Sequence, residues 1–217
     1  AAALEADTAH KIKAVLVTHN ETATGVTSDI KASRDAMDAA GHPAMLFVDG
    51  VSSIGSIDFR MDEWGVDVAV TGSQKGFMLA AGLAIVGFSE KAMAATKTAT
   101  LPRVYFDVHD MLGGYAANAY PYTPSVGMIN GLNEACKMLL DEGLDNVFAR
   151  HHRIAEGVRA AVRGWGLEIC AATPDVYSDT VTAIRTPEGF NASDIVSHAA
   201  NTYGMAFGTG LGEVAGK

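Results

Sequence analysis

Cysteine is scarce in this sequence: its 217 residues include two, Cys136 and Cys170, which lie far apart and form no C-x-x-C pair. This count excludes a disulfide framework and favours a reduced, cytosolic protein. No apolar stretch reaches the roughly 18 residues that a membrane-spanning helix needs. The first residues do not resemble a secretion signal either, because Glu5, Asp7 and Lys11 interrupt them. We therefore expect no membrane partner.

Positive charge is also in short supply, since 16 lysines and arginines stand against 25 aspartates and glutamates, a formal net charge of −9. A surface with this balance repels phosphate backbones, which argues against nucleic acid as a partner. Apolar residues make up 48% of the chain, which is enough to build a core and excludes a disordered protein. The length suits one large domain, or one domain and part of a second.

Residues 66–77 join a β-branched run to a lysine that is followed by glycine. The run breaks at Gly72, and Lys75 comes two residues after Ser73 and directly before Gly76. A lysine just past a buried strand has its stem among apolar neighbours, and desolvation there favours the neutral amine. A neutral amine condenses with aldehydes, which is the chemistry that holds pyridoxal 5′-phosphate (PLP) as a Schiff base. The alternative interpretation is an ordinary solvated loop lysine.

A second short apolar run, residues 44–50, ends in a carboxylate, Asp49. We expect Asp49 to be poorly hydrated and therefore paired, and a pyridinium nitrogen would suit it as a partner. The alternative is a strand-end aspartate that caps the next turn. Asp49 and Lys75 each follow a predicted strand, and ligand crevices of open α/β sheets form at the carboxyl ends of the strands. This pair predicts the centre of the site.

Three segments, in order along the chain, resemble the class V (fold type I) PLP-dependent aminotransferases: residues 18–25, 48–53 and 72–75. Three more resemble the subgroup of that family that transfers the amino group of serine or alanine to glyoxylate: residues 120–125, 142–151 and 208–212. The likeness runs over essentially the whole chain. The resemblance therefore implies a PLP-dependent aminotransferase that acts on amino acid and 2-oxo acid substrates.

The resemblance also implies an α/β fold of two parts. Residues 1–148 would form the fold type I large domain with a mixed sheet, and residues 149–217 would form part of a small α+β C-terminal domain. The family's glycine-rich phosphate loop and its arginine for the substrate carboxylate have no match here, so we expect the chain to be the middle of a longer polypeptide. The isolated chain should then show little or no turnover.

The resemblance assigns the catalytic roles to Lys75, which would hold the cofactor and move the α-proton, and to Asp49, which would keep the pyridine nitrogen protonated. It implies further cofactor contacts from Thr22, Val51, Ser73, Gln74, Tyr120 and Thr123. Tyr120 and Thr123 match positions that reach across a dimer interface to the phosphate of the neighbouring subunit. The implied assembly is a homodimer with shared active sites.

Other interpretations stay open for several of these features. Thr22 could cap a loop, and Tyr120 to Tyr122 could form a rigid aromatic turn inside a core. His19 at a strand end is interpreted as a hydrogen-bonded structural histidine rather than a proton donor. No metal is expected, because the cluster Asp107, His109 and Asp110 lacks zinc-type spacing.

Two other functions also stay open. A lyase or cysteine desulfurase would share the fold, although the two cysteines lie in a helical and a strand pattern rather than on a mobile loop. A catalytically incomplete fragment that acts only in binding or oligomerisation is the second alternative.

Hydrophobic periodicity predicts the secondary structure. We expect strands at 14–18, at 44–49 and from 66 to 71, and an antiparallel strand at 83–88, because the connection is too short for a parallel return. Helices are predicted after Ser28 as N-cap, at 125–140, at 144–164 and after Asn191. Residues 91–125 are expected to form a long ordered loop, and 167–170 and 180–186 to be extended.

Overall fold

The computed structural model describes residues 1–212, 215 and 216. In chain order its elements are α1 (Ala2–Ala6), β1 (Ala14–Thr18), β2 (Asn20–Glu21), β3 (Val26–Thr27), α2 (Ile30–Ala39), β4 (Met45–Asp49), β5 (Val68–Gly72), β6 (Ala84–Phe88), α3 (Glu90–Thr96), α4 (Val108–Ala116), α5 (Val126–Glu142), α6 (Leu144–Gly164), β7 (Glu168–Ile169), a 3-10 turn (Pro174–Val176), β8 (Ile184–Arg185) and α7 (Ala192–Tyr203). No helix in the described part of the chain is both long and apolar enough to cross a membrane.

The main sheet has four strands in the order β1-β4-β5-β6. Strands β1, β4 and β5 run parallel, and β6 pairs antiparallel with β5. The predicted mixed sheet is therefore confirmed. The predicted antiparallel pairing of the strand that follows Lys75 is confirmed as well, since this strand is β6. Parallel pairing places the carboxyl ends of β1, β4 and β5 at one edge of the sheet.

One face of this sheet carries the core. Leu46 and Val48 of β4 and Ala69 of β5 are buried together with Ile30 and Met37 of α2. Successive side chains of a strand point to opposite faces, so the alternate residues of β4 and β5 lie on the other side. Helix α2 therefore packs its apolar side against one of the two faces of the sheet.

The described residues leave much of the opposite face uncovered, most of all at its two outer strands. A row of apolar residues in register crosses all four strands there, from Leu16 through Phe47 and Val68 to Phe88. Leu16 is 76% exposed and Phe88 is 39% exposed. Parallel sheets in α/β proteins usually have both faces covered. An exposed apolar row is therefore a surface on which further polypeptide could pack.

Two local predictions need correction. Helix α2 is capped by Asp29 rather than Ser28: the Asp29 side chain accepts a hydrogen bond from the Ala32 amide at 2.8 Å. Ser28 still belongs to the preceding loop, because its amide donates to the His19 carbonyl at 2.7 Å. The predicted long loop over residues 91–125 is also wrong, since it contains most of α3 and all of α4.

Side-chain caps explain those two helices. The Ala92 amide donates to the Ser89 hydroxyl at 3.1 Å, and the His109 amide donates to the Asp107 carboxylate at 2.9 Å. A capped first turn favours a helix even where the sequence contains glycines. Helix α4 accordingly continues through Gly113 and Gly114.

The second half of the chain contains the two long helices, the short antiparallel pair β7 and β8, and α7. Helices α5, α6 and α7 match the predicted ranges closely, and α7 is capped by Asn191 as expected. The extended segments are shorter than predicted, with two residues in each of β7 and β8. Helix α6 packs against α5 and β7 and runs without a break through residue 148, and the division into two domains stays a prediction.

Asp67 ties the sheet to the helices around it. This buried residue precedes β5, and its carboxylate accepts hydrogen bonds from the Leu46 amide at 2.9 Å and from the Ser89 hydroxyl at 2.8 Å. The amine of Lys91 lies 3.8 Å from the same carboxylate, and a guanidinium nitrogen of Arg34 lies 4.0 Å from it. A single side chain thus joins β4, β5, α2 and the start of α3.

Substituting Asp67→Ala should lower the free energy of unfolding by about 2–4 kcal/mol, because it leaves the buried Leu46 amide without a partner and removes the carboxylate that binds the Ser89 hydroxyl. The matched control is Asp35→Ala, which removes only the solvent-exposed ion pair with Lys31 and should change stability little. Urea denaturation of both variants checks this. Equal effects would contradict the role given to Asp67.

Candidate active site

Three loops meet at the edge of the sheet where the parallel strands end. After β1 the chain forms the β2–β3 hairpin, after β4 it turns over residues 50–57, and after β5 it turns over residues 73–79. The His19 amide donates to the Asp49 carbonyl, and the Gly50 amide donates to the Val70 carbonyl, each at 2.9 Å. These bonds continue the sheet pairing into the loops and hold the three loops side by side.

Asp49 stands at the tip of β4, in register with Val70 of β5. Its carboxylate accepts a hydrogen bond from the Val51 amide at 2.9 Å, so it caps the following turn as the alternative interpretation held. The expectation that Asp49 is poorly hydrated is wrong for this chain, because the residue is exposed. The strand end lies at the solvent edge of the sheet, and no described residue covers it. One carboxylate oxygen remains open to a ligand.

Lys75 lies in the turn after β5, and its side chain is exposed. The expected apolar surroundings of its stem are therefore not supplied by this chain. Two backbone hydrogen bonds define the turn. The Lys75 amide donates to the Gly72 carbonyl at 3.4 Å, and the Met78 amide donates to the Lys75 carbonyl at 2.9 Å. Among the described residues, no carboxylate forms an ion pair with the Lys75 amine.

Two glycines allow the Lys75 turn to pack against the turn that follows Asp49. A Cβ atom on Gly76 would collide with the carbonyl oxygen of Ile54 and lie 3.0 Å from the Cα atom of Gly55. Gly55 has a φ of +86°, which side chains other than glycine rarely adopt. The backbones of the two turns are therefore in direct contact, and this contact links the position of Lys75 to that of the Asp49 turn.

Ser73 and Gln74 differ sharply in exposure. Ser73 is fully buried: its hydroxyl donates to the Ala80 carbonyl at 2.7 Å and accepts from the Leu83 amide at 3.1 Å. Both bonds close the lysine turn on itself, so Ser73 supports the turn in this structure. Gln74 is exposed beside Lys75, and its amide is available at the surface.

Thr22 and Val51 lie on the two other loops of the same edge. Thr22 is exposed in the turn between β2 and β3, and Val51 is half-buried directly after Gly50. The structure thus brings five of the predicted residues, together with the buried Ser73, to the three loops at the carboxyl edge of the sheet: Thr22, Asp49, Val51, Gln74 and Lys75.

Tyr120 and Thr123 lie apart, in the connection between α4 and α5. Tyr120 is 58% exposed, and Thr123 and Tyr122 are exposed as well. The alternative of an aromatic turn inside a core is therefore wrong for this chain. No hydrogen bond within the described residues joins Tyr120 or Thr123 to the loops at the sheet edge, so their role stays a prediction.

His19 is a buried structural histidine, as the sequence suggested. A ring nitrogen lies 2.9 Å from the Ser53 hydroxyl, and the ring packs against both Phe59 and Trp64, which also contact each other. Burial lowers the pKa of His19 below its usual range, and the charge of Asp58 opposes part of that shift. The neutral ring holds the base of the Asp49 turn.

Sequence reasoning missed the residues that fasten the second half of the chain to this edge. Thr180 hydrogen-bonds to Ser52, and the buried Arg159 donates to the Ser178 carbonyl at 2.8 Å and to Asp179 at 3.0 Å. Arg159 looks like an ordinary charge near a helix C-terminus, and Thr180 like one polar residue of an extended segment. Their partners lie too far away along the chain for spacing to show.

The matching family model, two similar proteins and one similar crystal structure are all aminotransferases. Residues 1–212 match the family model described as Aminotransferase class-V. The L-aspartate–glyoxylate aminotransferase of Paracoccus denitrificans is 72% identical over 99% of this chain and 54% of its own length, and the serine–glyoxylate aminotransferase of Methylorubrum extorquens is 54% identical over 99% and 55%. The crystal structure of pyridoxamine–pyruvate aminotransferase from Mesorhizobium loti superposes with a TM-score of 0.92 at 36% identity, over 100% of this chain and 55% of its own. The chain spans about half the length of these relatives.

Substituting Gly76→Ala should lower the free energy of unfolding by about 1–3 kcal/mol, because the added methyl group forces the two turns apart. Gly157→Ala is the matched control: it lies on the exposed side of α6 with open space around it, and should raise stability by roughly 0.5–1 kcal/mol. Urea denaturation of the two variants measures both effects. A neutral Gly76→Ala would show that the two turns do not depend on each other.

Proposed function

Because the chain belongs to the class V aminotransferase family, we propose that it carries the PLP-binding edge of an enzyme that transfers an amino group from an amino acid to glyoxylate. The observation that carries this proposal is the placement of Asp49 and Lys75 on neighbouring turns of one sheet edge. Within the part of the chain that the structure describes, one Asp49 oxygen is open and the Lys75 amine pairs with no carboxylate. An acid and an amine are the two groups that PLP needs at the opposite ends of its ring.

The residues present fit this cofactor in their chemistry. The edge offers an amine, a carboxylate oxygen, a hydroxyl, a side-chain amide and a half-buried apolar side chain: Lys75, Asp49, Thr22, Gln74 and Val51. Bound PLP would supply an electron sink for the α-carbon of an amino acid. We propose that these residues hold the cofactor, and that Ser73 contributes by closing the turn that presents Gln74 and Lys75.

Lys75 would hold the cofactor covalently through its amine and would then carry a proton to and from the substrate's α-carbon. Both tasks need an amine that can lose its proton. Lys75 is exposed in this chain, so the desolvation that favours a neutral amine has to come from polypeptide that covers the edge. This exposure supports our expectation that the isolated chain is poorly active.

Asp49 would hold a proton at the pyridine nitrogen through a charge-assisted hydrogen bond. The Val51 amide already fixes one carboxylate oxygen, so the side chain is oriented before any ligand arrives. A preoriented charge costs little reorganisation when the cofactor binds. The loss of Asp49 should therefore reduce the rate more than the binding of the cofactor.

The relatives' names do not agree on the amino donor. The sequence suggested serine or alanine, and the relative that is 54% identical is named for serine. The relative that is 72% identical is named for aspartate, which favours aspartate as a second candidate donor. Glyoxylate is the acceptor in both names.

We further propose a homodimer. Residues 101–126, here called the apolar segment, expose several large hydrophobic side chains, among them Leu101 at 81%, Phe106 at 83% and Tyr115 at 82%. A surface of this kind marks an interaction site in a soluble protein. Tyr120 and Thr123 lie within the same segment, so a second copy seated on it would bring them towards a neighbouring active site.

The two unpaired cysteines support a reduced, cytoplasmic location.

In the complete protein, Lys75→Ala should abolish the visible absorbance of covalently bound PLP and lower kcat by at least about a thousandfold, because no other described amine lies in that turn. Lys91→Ala is the control, since Lys91 lies in α3 and its amine contacts the Ala44 carbonyl and Asp67. It should keep both the absorbance and most of the activity. A Lys75→Ala protein with normal absorbance would refute the assignment.

The same assay, with glyoxylate as the acceptor, compares L-serine, L-alanine and L-aspartate as donors through kcat/KM. We expect glycine as the product with at least one of them. No amino transfer to glyoxylate from any of the three donors would refute the proposed substrate class.

Placing a charge in the apolar segment should weaken the dimer. Phe106→Asp in the complete protein should raise the dimer dissociation constant at least about tenfold, because it buries an unpaired carboxylate. Trp165→Asp is the control, since Trp165 is 69% exposed outside the segment. Sedimentation equilibrium measures both variants. A monomeric parent protein, or equal effects of the two changes, would contradict the proposed interface.

A further inference from the structure

One hydrogen bond joins the second half of the chain to the Asp49 turn. The Thr180 hydroxyl donates to the Ser52 carbonyl at 2.8 Å, across 128 residues of sequence. The Asn20 side-chain amide donates to the same Thr180 hydroxyl at 3.1 Å. The Thr180 hydroxyl therefore donates to one loop at the carboxyl edge of the sheet and accepts from another, and it also lies 3.3 Å from the Ser178 hydroxyl.

Asn20 and Ser52 form the rest of a closed network. The Ser52 hydroxyl donates to the Asn20 carbonyl at 2.7 Å and accepts from the Asn20 side-chain amide at 2.9 Å. The Asn20 side-chain oxygen accepts from the Thr27 hydroxyl at 3.1 Å. Asn20 is 2% exposed, so water cannot readily replace these partners. The network fixes the loop after β1 and the turn after β4 to each other.

Thr180 is itself held in place on its own side. Its amide donates to the Ser178 hydroxyl at 3.1 Å, and the Ser178 amide donates to the Gly25 carbonyl at 3.0 Å. The buried Arg159 of α6 donates to the Ser178 carbonyl and to Asp179. The segment 178–180 is thus anchored from one side by α6 and from the other by the β2–β3 hairpin.

This anchoring acts on the site through Ser52. Ser52 directly follows Val51, whose amide orients the Asp49 carboxylate. A hydrogen bond to the Ser52 carbonyl restrains the rotation of the peptide groups in that turn. We propose that Thr180 is a positioning residue for Asp49: its hydroxyl fixes the turn that aims the carboxylate. The inference rests on the proposed function only for its consequence in catalysis, because the restraint on the turn is a property of the chain itself.

The test compares Thr180→Val, which keeps the volume but loses the hydroxyl, with Thr180→Ser, which keeps the hydroxyl. The amides of Ser53 and Ile54 donate to the Gly50 carbonyl within the turn, so their hydrogen exchange reports on its restraint. In the complete apo-protein, Thr180→Val should speed exchange in a peptide covering residues 49–57 by about tenfold. Thr180→Ser should stay within about twofold of the parent protein.

Cofactor binding and kinetics give two further readouts. In Thr180→Val the dissociation constant for PLP should rise about threefold to tenfold, and kcat at saturating PLP should fall by a similar factor. The KM for glyoxylate should change less than about twofold, because the Thr180 hydroxyl is already bonded to Ser52 and Asn20. Thr180→Ser should keep the dissociation constant and kcat close to those of the parent protein.

Thr202→Val is the matched control, since it removes an exposed threonine hydroxyl near the end of α7. It should leave exchange at residues 49–57 unchanged. Unchanged exchange in Thr180→Val, or an equal acceleration throughout the protein, would overturn the proposal. Should Thr180→Val fail to fold, Thr180→Cys, with its weak S–H donor, takes its place and is judged by the same local exchange.

The outcomes separate this inference from the proposed function. If the parent protein binds PLP and Thr180→Val matches it in exchange, affinity and kcat, the positioning role is wrong and the proposed function stands. If the parent protein binds no PLP while exchange at residues 49–57 still rises in Thr180→Val, the proposed function fails and the restraint on the turn is supported.

Discussion

Parallel pairing of β4 with β5 is the constraint on which the rest of the structure depends. It places Asp49 opposite Val70 and starts the turns of both strands at one edge. The buried Asp67 holds this pairing by binding the Leu46 amide and the Ser89 hydroxyl. The backbone contact between Gly55 and Gly76 then holds the turns after the two strands against each other. Without that pairing the acid and the amine would have no fixed relation.

The carboxyl edge of the sheet is exposed to solvent. Asp49, Gln74 and Lys75 all face solvent, and the sheet face that carries Leu16 and Phe88 is uncovered. Both features fit a chain that spans about half the length of its relatives. The chemistry proposed for Lys75 needs a drier setting than these residues provide alone. In the proposed function, this chain supplies the groups that hold the cofactor, and polypeptide packed on the edge excludes water from them.

Much of the fold could be predicted because it depends on local patterns. The apolar runs ending at Asp49 and Gly72 identify two neighbouring strands, and the short connection to residues 84–88 requires an antiparallel return. Helix α4 escaped prediction because its capping residue, Asp107, outweighs Gly113 and Gly114. Helix α3 contains no glycine, and its seven residues are too few to show a clear helical period. The burial of Asp49 was wrongly inferred, since a strand's apolar character says nothing about what covers its end. The link from Thr180 to Ser52 joins two ordinary polar residues 128 positions apart, and no local pattern marks it.

The central claim is that Asp49 and Lys75 bracket one flat aromatic ring. A crystal structure of the complete protein with PLP tests this most directly. The account predicts a carboxylate oxygen of Asp49 within hydrogen-bond distance of the pyridine nitrogen and the Lys75 nitrogen bonded to the carbon at the opposite side of the same ring. A cofactor bound elsewhere, or a ring that contacts one of these side chains while the other points away, would contradict it.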